Sequence, residues 1–135
     1  MNRQNFISSR PVPSLSFDET VEEVTKQLET ETLEERGYSR PQISEICMII
    51  AEIYLRNPKG SVRIGGELLD TSIVQQVFHK LTADHVEFVL DNFSRTTALI
   101  RNKKQYLRAA LYNSVFEMDS HFVNLVAHNS AGAGK

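Results

Sequence analysis

The chain has 135 residues, of which 41% are apolar and 24% are charged, and its formal net charge is −2. This length corresponds to one domain, which can bury a hydrophobic core without disulfides or metal ions. A single cysteine excludes a disulfide scaffold, and no stretch approaches the roughly 18 consecutive apolar residues of a membrane span. The first residues lack the apolar stretch of a secretory signal. We therefore expect a cytoplasmic protein without membrane association.

The two ends of the chain differ from its middle. Residues 1–17 show no sustained periodicity, and Pro11 and Pro13 favour extended backbone, which predicts a poorly ordered arm. Residues 129–135 are mostly small, which predicts a frayed tail. The intervening residues, 18–128, are expected to form a single helical domain.

The segment 18–36 carries eight acidic residues and two basic ones. Val21, Val24 and Leu28 within it lie at helical spacing. This pattern predicts one or two amphipathic helices with an acidic outer face. Gly37 then provides a stop.

The strongest helix signal follows Gly37. Ser39 and Gln42 have the spacing of a capping box, and Pro41 lies in the first turn, where its missing N–H is harmless. The broad apolar stripe predicts the central, most buried helix and places Cys47 in the core as an inert thiol. The residues of the stripe are Ile43, Ile46, Cys47, Ile50, Ile53 and Tyr54.

Residues 61–64 alternate polar with β-branched side chains and precede Gly65 and Gly66. They predict at most one very short strand or an extended connector, which cannot build a sheet alone. Asp70 and Thr82 are candidate caps of two further short helices. The apolar positions of these helices are Ile73, Val74, Val77, Phe78 and Leu81, then Val86, Val89, Leu90 and Phe93.

The C-terminal third predicts further helical structure. A further helical turn is expected within residues 94–101, a helix from the Asn102 cap to about residue 113, and a last helix over 117–128. Phe122, Val123 and Val126 are expected to face inward in the last helix. The whole predicts an all-α fold, a compact bundle of five to six short helices.

Known catalytic and metal-binding patterns do not occur. The four histidines, His79, His85, His121 and His128, lack C-x-x-C or H-E-x-x-H spacing. The pair Gly65-Gly66 matches neither phosphate-binding glycine motif. We therefore expect a non-enzymatic protein with no metal and no cofactor, in which His79 lies at a helix end.

Charge is segregated along the chain. Between Asn92 and Phe116 there are five bases and no acid. In a helix that starts at Asn102, Lys104, Arg108 and Tyr112 share one face, which predicts an anion-binding surface. The candidate residues for binding nucleic acid or a partner protein are Arg95, Arg101, Lys103, Lys104, Arg108 and Tyr112.

This basic segment has several interpretations. It can bind nucleic-acid phosphates, with Tyr112 stacking on a base, or an acidic partner surface. It can also pair with acids of this chain, such as those of residues 18–36, or remain a solvated face. If all five bases contacted duplex DNA, log affinity would fall against log salt with a slope of about −4.5. Reversing the charges of Lys104 and Arg108 is expected to abolish binding with little effect on thermal stability.

Several ordered blocks of the chain resemble a known family, the C-terminal domain of the replication initiator A proteins of plasmids and integrative elements in Gram-positive bacteria. The resemblance covers about residues 43–128, and its blocks are residues 62–66, 78–81, 82–91 and 100–113. That domain is similar to the helical domain of the DnaD and DnaB primosome proteins. Tyr106-Leu107 and Ala110-Leu111 match its Tyr-Ile and Ile-Leu pairs, but Ser114 stands where that pattern has Trp.

The resemblance implies a DNA-replication accessory module of a plasmid or mobile element. Such a module would recruit host replication proteins, namely primase, helicase or helicase loader, to an origin-bound initiator. The alternative is direct binding of single-stranded or duplex DNA by the basic segment 95–108. The family implies an upstream winged-helix domain, so this chain is expected to be part of a longer initiator or a free-standing relative. A homo-oligomer through residues 18–36 or 117–128 remains open.

Overall fold

A computed structural model describes the backbone of residues 16–96 and 99–133, and the side chains of these residues up to Met118. Most of the predicted N-terminal arm and the last two residues lie outside this part. The described elements are helices α1 (Phe17–Leu28), α2 (Thr30–Glu35) and α3 (Arg40–Tyr54), strands β1 (Ser61–Ile64) and β2 (Glu67–Asp70), and helices α4 (Thr71–Phe78), α5 (Ala83–Arg95) and α6 (Lys103–Ala133). The predicted helical class is confirmed.

The acidic segment forms two helices. At the start of α1, Ser16 and Glu19 form a reciprocal capping box, in which the Ser16 Oγ accepts from the Glu19 N–H at 3.1 Å. Glu29 separates α1 from α2 in a left-handed conformation with φ 51°. Helix α1 therefore begins at Phe17, inside the segment expected to be an arm.

The predicted stop at Gly37 is confirmed. Gly37 has φ +99°, and its N–H donates to the Glu34 carbonyl at 3.0 Å. The Tyr38 N–H donates to the Leu33 carbonyl at 3.1 Å. These two bonds define a Schellman motif, which ends α2 and turns the chain into α3.

Helix α3 is the centre of the domain, as predicted. The Ser39 Oγ accepts from the Gln42 N–H at 3.3 Å, and the Gln42 side chain accepts from the Ser39 N–H at 3.0 Å. The buried residues of α3 are Ile43, Ile46, Cys47, Ile49, Ile50, Ala51 and Ile53. They pack with apolar residues from α1, α2, α4, α5, α6 and β1 in one core cluster.

The extended segment 61–64, which we expected to stand alone, pairs with a second strand. Strand β1 pairs with β2 in an antiparallel hairpin that matches Ser61 to Asp70 and Ile64 to Glu67. Gly65, the first of the two turn residues, has φ +62°, which fits a type II′ hairpin turn. The second strand escaped prediction because Glu67–Asp70 is only four residues long and its two adjacent leucines do not alternate with polar residues.

Helices α4 and α5 begin at the predicted caps. Asp70 is the N-cap residue of α4 but makes no side-chain capping bond. The Thr82 N–H donates to the His85 Nδ1 at 3.1 Å at the start of α5. The further turn expected within 94–101 is wrong for the described residues there, because α5 ends at Arg95 and residues 96 and 99–102 are not helical.

The two C-terminal helices expected over 102–113 and 117–128 form one continuous helix, α6. Ser114, at the expected break, is buried, and its hydroxyl donates to the Leu111 carbonyl at 2.7 Å. This local bond satisfies the serine inside the helix, so the helix continues. The inward positions expected at Phe122, Val123 and Val126 lie outside the described side chains. Within the described residues, no helix is both long and apolar enough to cross a bilayer.

Candidate functional site: the face of α6 and the α5–α6 groove

The basic segment begins at Arg95, the last residue of α5, crosses the connection and enters the first turns of α6. The Asn102 Oδ1 accepts from the Gln105 N–H at 3.0 Å, so Asn102 caps α6 as predicted. Leu107 and Leu111 are buried against the core, and this fixes the rotation of the helix. The first turns of α6 therefore hold the predicted basic residues in defined directions.

Two lysines of this segment are paired inside the molecule. The Lys103 Nζ lies 3.0 Å from the Glu45 carboxylate and 5.1 Å from the centre of the Phe93 ring. The Lys104 Nζ lies 2.6 Å from the Glu52 carboxylate. Internal pairing was one of the open interpretations, but the acids belong to α3 and not to residues 18–36.

Arg108 is not on a solvent face, in contrast to the expectation. Only 8% of it is exposed, because it lies beside the core-facing side of α6. Its guanidinium group has no hydrogen-bond or ion-pair partner among the described residues. Its pKa is lowered by burial and by the nearby Arg56, while Glu52 acts in the opposite direction. A charge reversal at Lys104 and Arg108 would therefore also cost stability.

The other three predicted residues, Arg95, Tyr112 and Arg101, lie in different environments. The Arg95 guanidinium donates to the Asn92 Oδ1 at 3.0 Å. The half-buried Tyr112 ring packs at 5.4 Å against Phe116, with an angle of 52° between the ring planes. Arg101 is exposed and lines a groove. The six candidates thus do not form a single surface.

The groove between α5 and α6 has a volume of about 660 Å³. Its lining includes Val89 of α5, Ala109 and Ala110 of α6, and Leu99 and Ile100 of the connection. Leu99 is 85% exposed, the most exposed of the large apolar side chains described. Polar side chains, among them Asn92, Gln105 and Asn113, line the rest of it, so the groove presents a mixed surface that nothing in the described structure covers.

The lining of this groove also includes three charged residues. Arg63 of β1 and Arg101 line it, together with the single carboxylate of Glu117. From Gln105 to Glu117 it follows α6 for roughly 18 Å, which is about three helical turns. Sequence reasoning missed the groove because it is assembled from three separate elements. The one feature of the sequence that indicated the groove was the apolar pair Leu99-Ile100 in the connection between α5 and α6.

A polar network links α2 to α5 on another face. The Arg36 guanidinium bridges Asp84 at 3.0 Å and Glu87 at 2.8 Å, and these bonds raise its pKa. The Tyr38 hydroxyl donates to Asp91 at 2.6 Å. Burial, followed by the carboxylates of Asp91 and Glu87, raises the pKa of Tyr38. Each of these groups has a partner, so the network joins two helices.

The cysteine Cys47 and the histidine His79, which could in principle be reactive, are both packed against other residues. Cys47 is buried, and burial raises the pKa of its thiol to about 11, which disfavours the nucleophilic thiolate. His79 follows α4, as predicted, and its ring stacks on Tyr54 with centroids 4.4 Å apart. In the described part of the chain, no three His, Cys, Asp or Glu residues converge as a metal-ligand set.

Comparison with known proteins assigns the chain to a family. A family model described as "Family of unknown function (DUF6017)" matches residues 15–133, which is nearly the whole chain, so the chain belongs to this family. The match includes α1 and α2 as well as the later elements. No curated protein and no solved structure matches the chain significantly.

Proposed function

We propose that this domain is a non-enzymatic interaction module of DNA replication in a plasmid or mobile element. In this proposal it acts in the cytoplasm and recruits a host replication protein to an origin-bound initiator. The replication context comes from the resemblance of residues 43–128 to the replication initiator A proteins. The single observation that carries the interaction role is the uncovered groove between α5 and α6, whose lining combines apolar and polar residues.

The groove fits one kind of occupant, a short amphipathic helix with acidic side chains. Its length of about three helical turns matches such a helix, and the apolar residues of its lining would contact the apolar face. Two arginines against one glutamate give the lining an excess of positive charge, which complements acidic side chains. We place this helix in the host primase, helicase or helicase loader.

Binding to these three purified host proteins tests the proposal. We would measure affinity by calorimetry for the wild-type chain and for the variants Leu99→Ser and Arg101→Glu. Both residues are exposed, so the variants should fold normally. We expect one of the three proteins to bind and each variant to weaken its binding about tenfold, which corresponds to about 1.4 kcal/mol.

Two exposed residues outside the groove lining provide matched controls. Leu68→Ser removes an exposed leucine from the hairpin, and Arg40→Glu reverses an exposed charge at the start of α3. Both controls should bind as the wild type does. The proposal would be wrong if none of the host proteins bound, or if the control variants weakened binding as much as the groove variants.

Direct DNA binding is the second candidate. The basic side chains that have no carboxylate partner favour it. Lys103 and Lys104 are paired with glutamates, whereas Arg95, Arg101 and Arg108 have no ion pair with a described residue. The expected salt slope on duplex DNA therefore falls from about −4.5 to no steeper than about −2.7. Fluorescence anisotropy at several salt concentrations measures this slope, and its absence would exclude the DNA interpretation.

A further inference from the structure

Helix α6 continues well past its described contacts with the core. Among its residues with described side chains, Val115 is the last that belongs to the core cluster. The helical backbone nevertheless runs on to Ala133, about 27 Å beyond Val115. Most of the stability of such a helix comes from packing of its apolar side against other structure. Residues 118–133, which we call the α6 tail, therefore call for a surface to pack on.

The sequence of the α6 tail is that of an amphipathic and slightly acidic helix. Asp119 gives it one negative charge, because residues 118–133 contain no other acid and no Lys or Arg. Four large apolar residues recur at helical spacing and so share one side of the helix. They are Met118, Phe122, Leu125 and Val126.

The α5–α6 groove matches the α6 tail in length and in charge. The groove follows α6 for about three helical turns, from Gln105 to Glu117, and the tail has about four turns. Two arginines and one glutamate give the lining a net charge of +1, which the single negative charge of the tail balances. Ala109 and Ala110 supply apolar surface with small side chains at the middle of the groove.

The tail cannot reach the groove of its own molecule. Because α6 is one continuous helix, the tail extends along the same axis and leads away from residues 105–117, which line the groove. A second copy of the chain can supply the tail instead. When two α6 helices lie antiparallel about a two-fold axis near Glu117, each tail lies beside the groove of the other copy. A single symmetric contact then fills both grooves.

We propose that two copies of this chain form a dimer in which the α6 tail of each copy occupies the α5–α6 groove of the other. In this arrangement Ala133, the last residue of α6, lies close to Arg101 of the other copy. The C-terminal end of a helix carries partial negative charge, and Arg101 is exposed and has no ion pair with a described residue, so the two can attract each other.

This dimer would regulate the groove as a docking site. It covers the surface on which we place the host replication protein, so the two occupants compete. The regulatory consequence rests on the proposed function, whereas dimerisation itself does not and can be measured without any host protein.

Sedimentation velocity of the full chain over a range of concentrations tests dimerisation. We expect a reversible dimer, and for Leu99→Asp in the groove and Phe122→Asp in the tail a dissociation constant about tenfold weaker or more. The matched controls are Leu68→Asp, at an exposed leucine outside the groove, and Ser120→Asp, on the opposite side of the tail. Both controls should dimerise as the wild type does. A monomeric wild type, or controls that weaken the dimer equally, would overturn the proposal.

A mixture of Leu99→Asp and Phe122→Asp tests whether groove and tail contact each other. A dimer of either variant alone has two defective sites. A mixed dimer keeps one intact site, which joins the groove of Phe122→Asp to the tail of Leu99→Asp. We therefore expect the mixture to associate about tenfold more tightly than either variant alone. No gain on mixing would contradict the exchange.

Two experiments that keep all four apolar residues of the tail test the antiparallel register. A short bismaleimide should crosslink Gln105→Cys to Asn129→Cys in a mixture, because the two-fold axis places these positions side by side. Arg40→Cys replaces Gln105→Cys as the control, and the native Cys47 is buried. Glu117 lies near the axis in both copies, so Glu117→Gln should tighten the dimer. A crosslink yield no higher than that of the control, or a weaker dimer for Glu117→Gln, would refute the register.

Binding of the host protein separates this inference from the proposed function. If the tail competes for the groove, Phe122→Asp should bind the host protein about tenfold more tightly than the wild type does at concentrations where the wild type is dimeric. A monomeric wild type that binds the host protein through the groove would refute the dimer alone. A dimer that forms as described, with no binding of any host protein, would refute the proposed function alone.

Discussion

Ile50 illustrates what single residues of the central helix contribute. It is fully buried in α3, at the middle of the core cluster. Ile50→Ala would remove three carbon atoms and leave a cavity, so we expect the free energy of unfolding to fall by about 2–5 kcal/mol. Urea denaturation measures this loss. Ile73→Ala, at a half-exposed position of α4, is the control and should cost much less.

Tyr54 gives a prediction for alkaline pH. Its hydroxyl donates to the Gln27 Oε1 at 2.6 Å, and burial raises its pKa from 10.0 to about 12. The folded state therefore holds the proton more tightly than the unfolded state. This contribution to stability is complete below pH 10 and is lost as the pH rises from about 10 to about 12.

The tyrosinate absorbance of the native protein, compared with Tyr54→Phe, measures this titration. The difference between the two proteins should show a midpoint near 12. The stability of the wild type should also decline more steeply than that of Tyr54→Phe between pH 10 and 12. Ionisation of Tyr54 near pH 10 would contradict the account.

At the scale of elements, the ion pairs between α3 and α6 predict a small coupling. The Lys104 and Glu52 side chains are about half exposed, so a double-mutant cycle with Lys104→Gln and Glu52→Gln should give about 0.2–1 kcal/mol. Glu52→Gln should cost more than Lys104→Gln, because Glu52 also acts on Arg108. The pair Lys26–Glu23, 3.9 Å apart within α1, is the control and should show weaker coupling. Equal losses for the two single variants would argue against the shared role of Glu52.

Most elements could be predicted from the sequence because their signals are local. The capping box at Ser39 and the stop at Gly37 depend on neighbouring residues, and both lie where expected. The second strand of the hairpin has no such signal, since its pairing with Ser61–Ile64 determines it. The continuity of α6 was also missed, because the acids near residue 117 resemble a helix start.

The candidate site was less predictable than the fold. Charge segregation located the basic segment, but sequence spacing could not show that Lys103 and Lys104 meet acids of α3, more than fifty residues earlier. Helical spacing placed Arg108 beside Lys104, but its burial depends on how α6 packs on the core. The groove is also tertiary in origin, since it joins residues of β1, α5 and α6.

At the scale of the whole molecule, the surface divides into faces of different character. Helices α1 and α2 present an acidic outer side, whereas the groove between α5 and α6 combines apolar and polar residues, with two arginines and one glutamate in its lining. One core cluster joins all six described helices, which gives these faces a common rigid support. A partner that binds the groove would therefore leave the acidic side free for other contacts.

An amide NMR titration of the isotope-labelled chain with the host protein that binds most tightly tests the central claim most directly. The account predicts shift changes concentrated in residues 88–92 and 99–113, with few changes in α1 and α2. The variant Leu99→Ser should show the same changes only at higher partner concentration. Changes concentrated on the acidic helices α1 and α2, with the groove unaffected, would contradict the claim that the groove is the docking site.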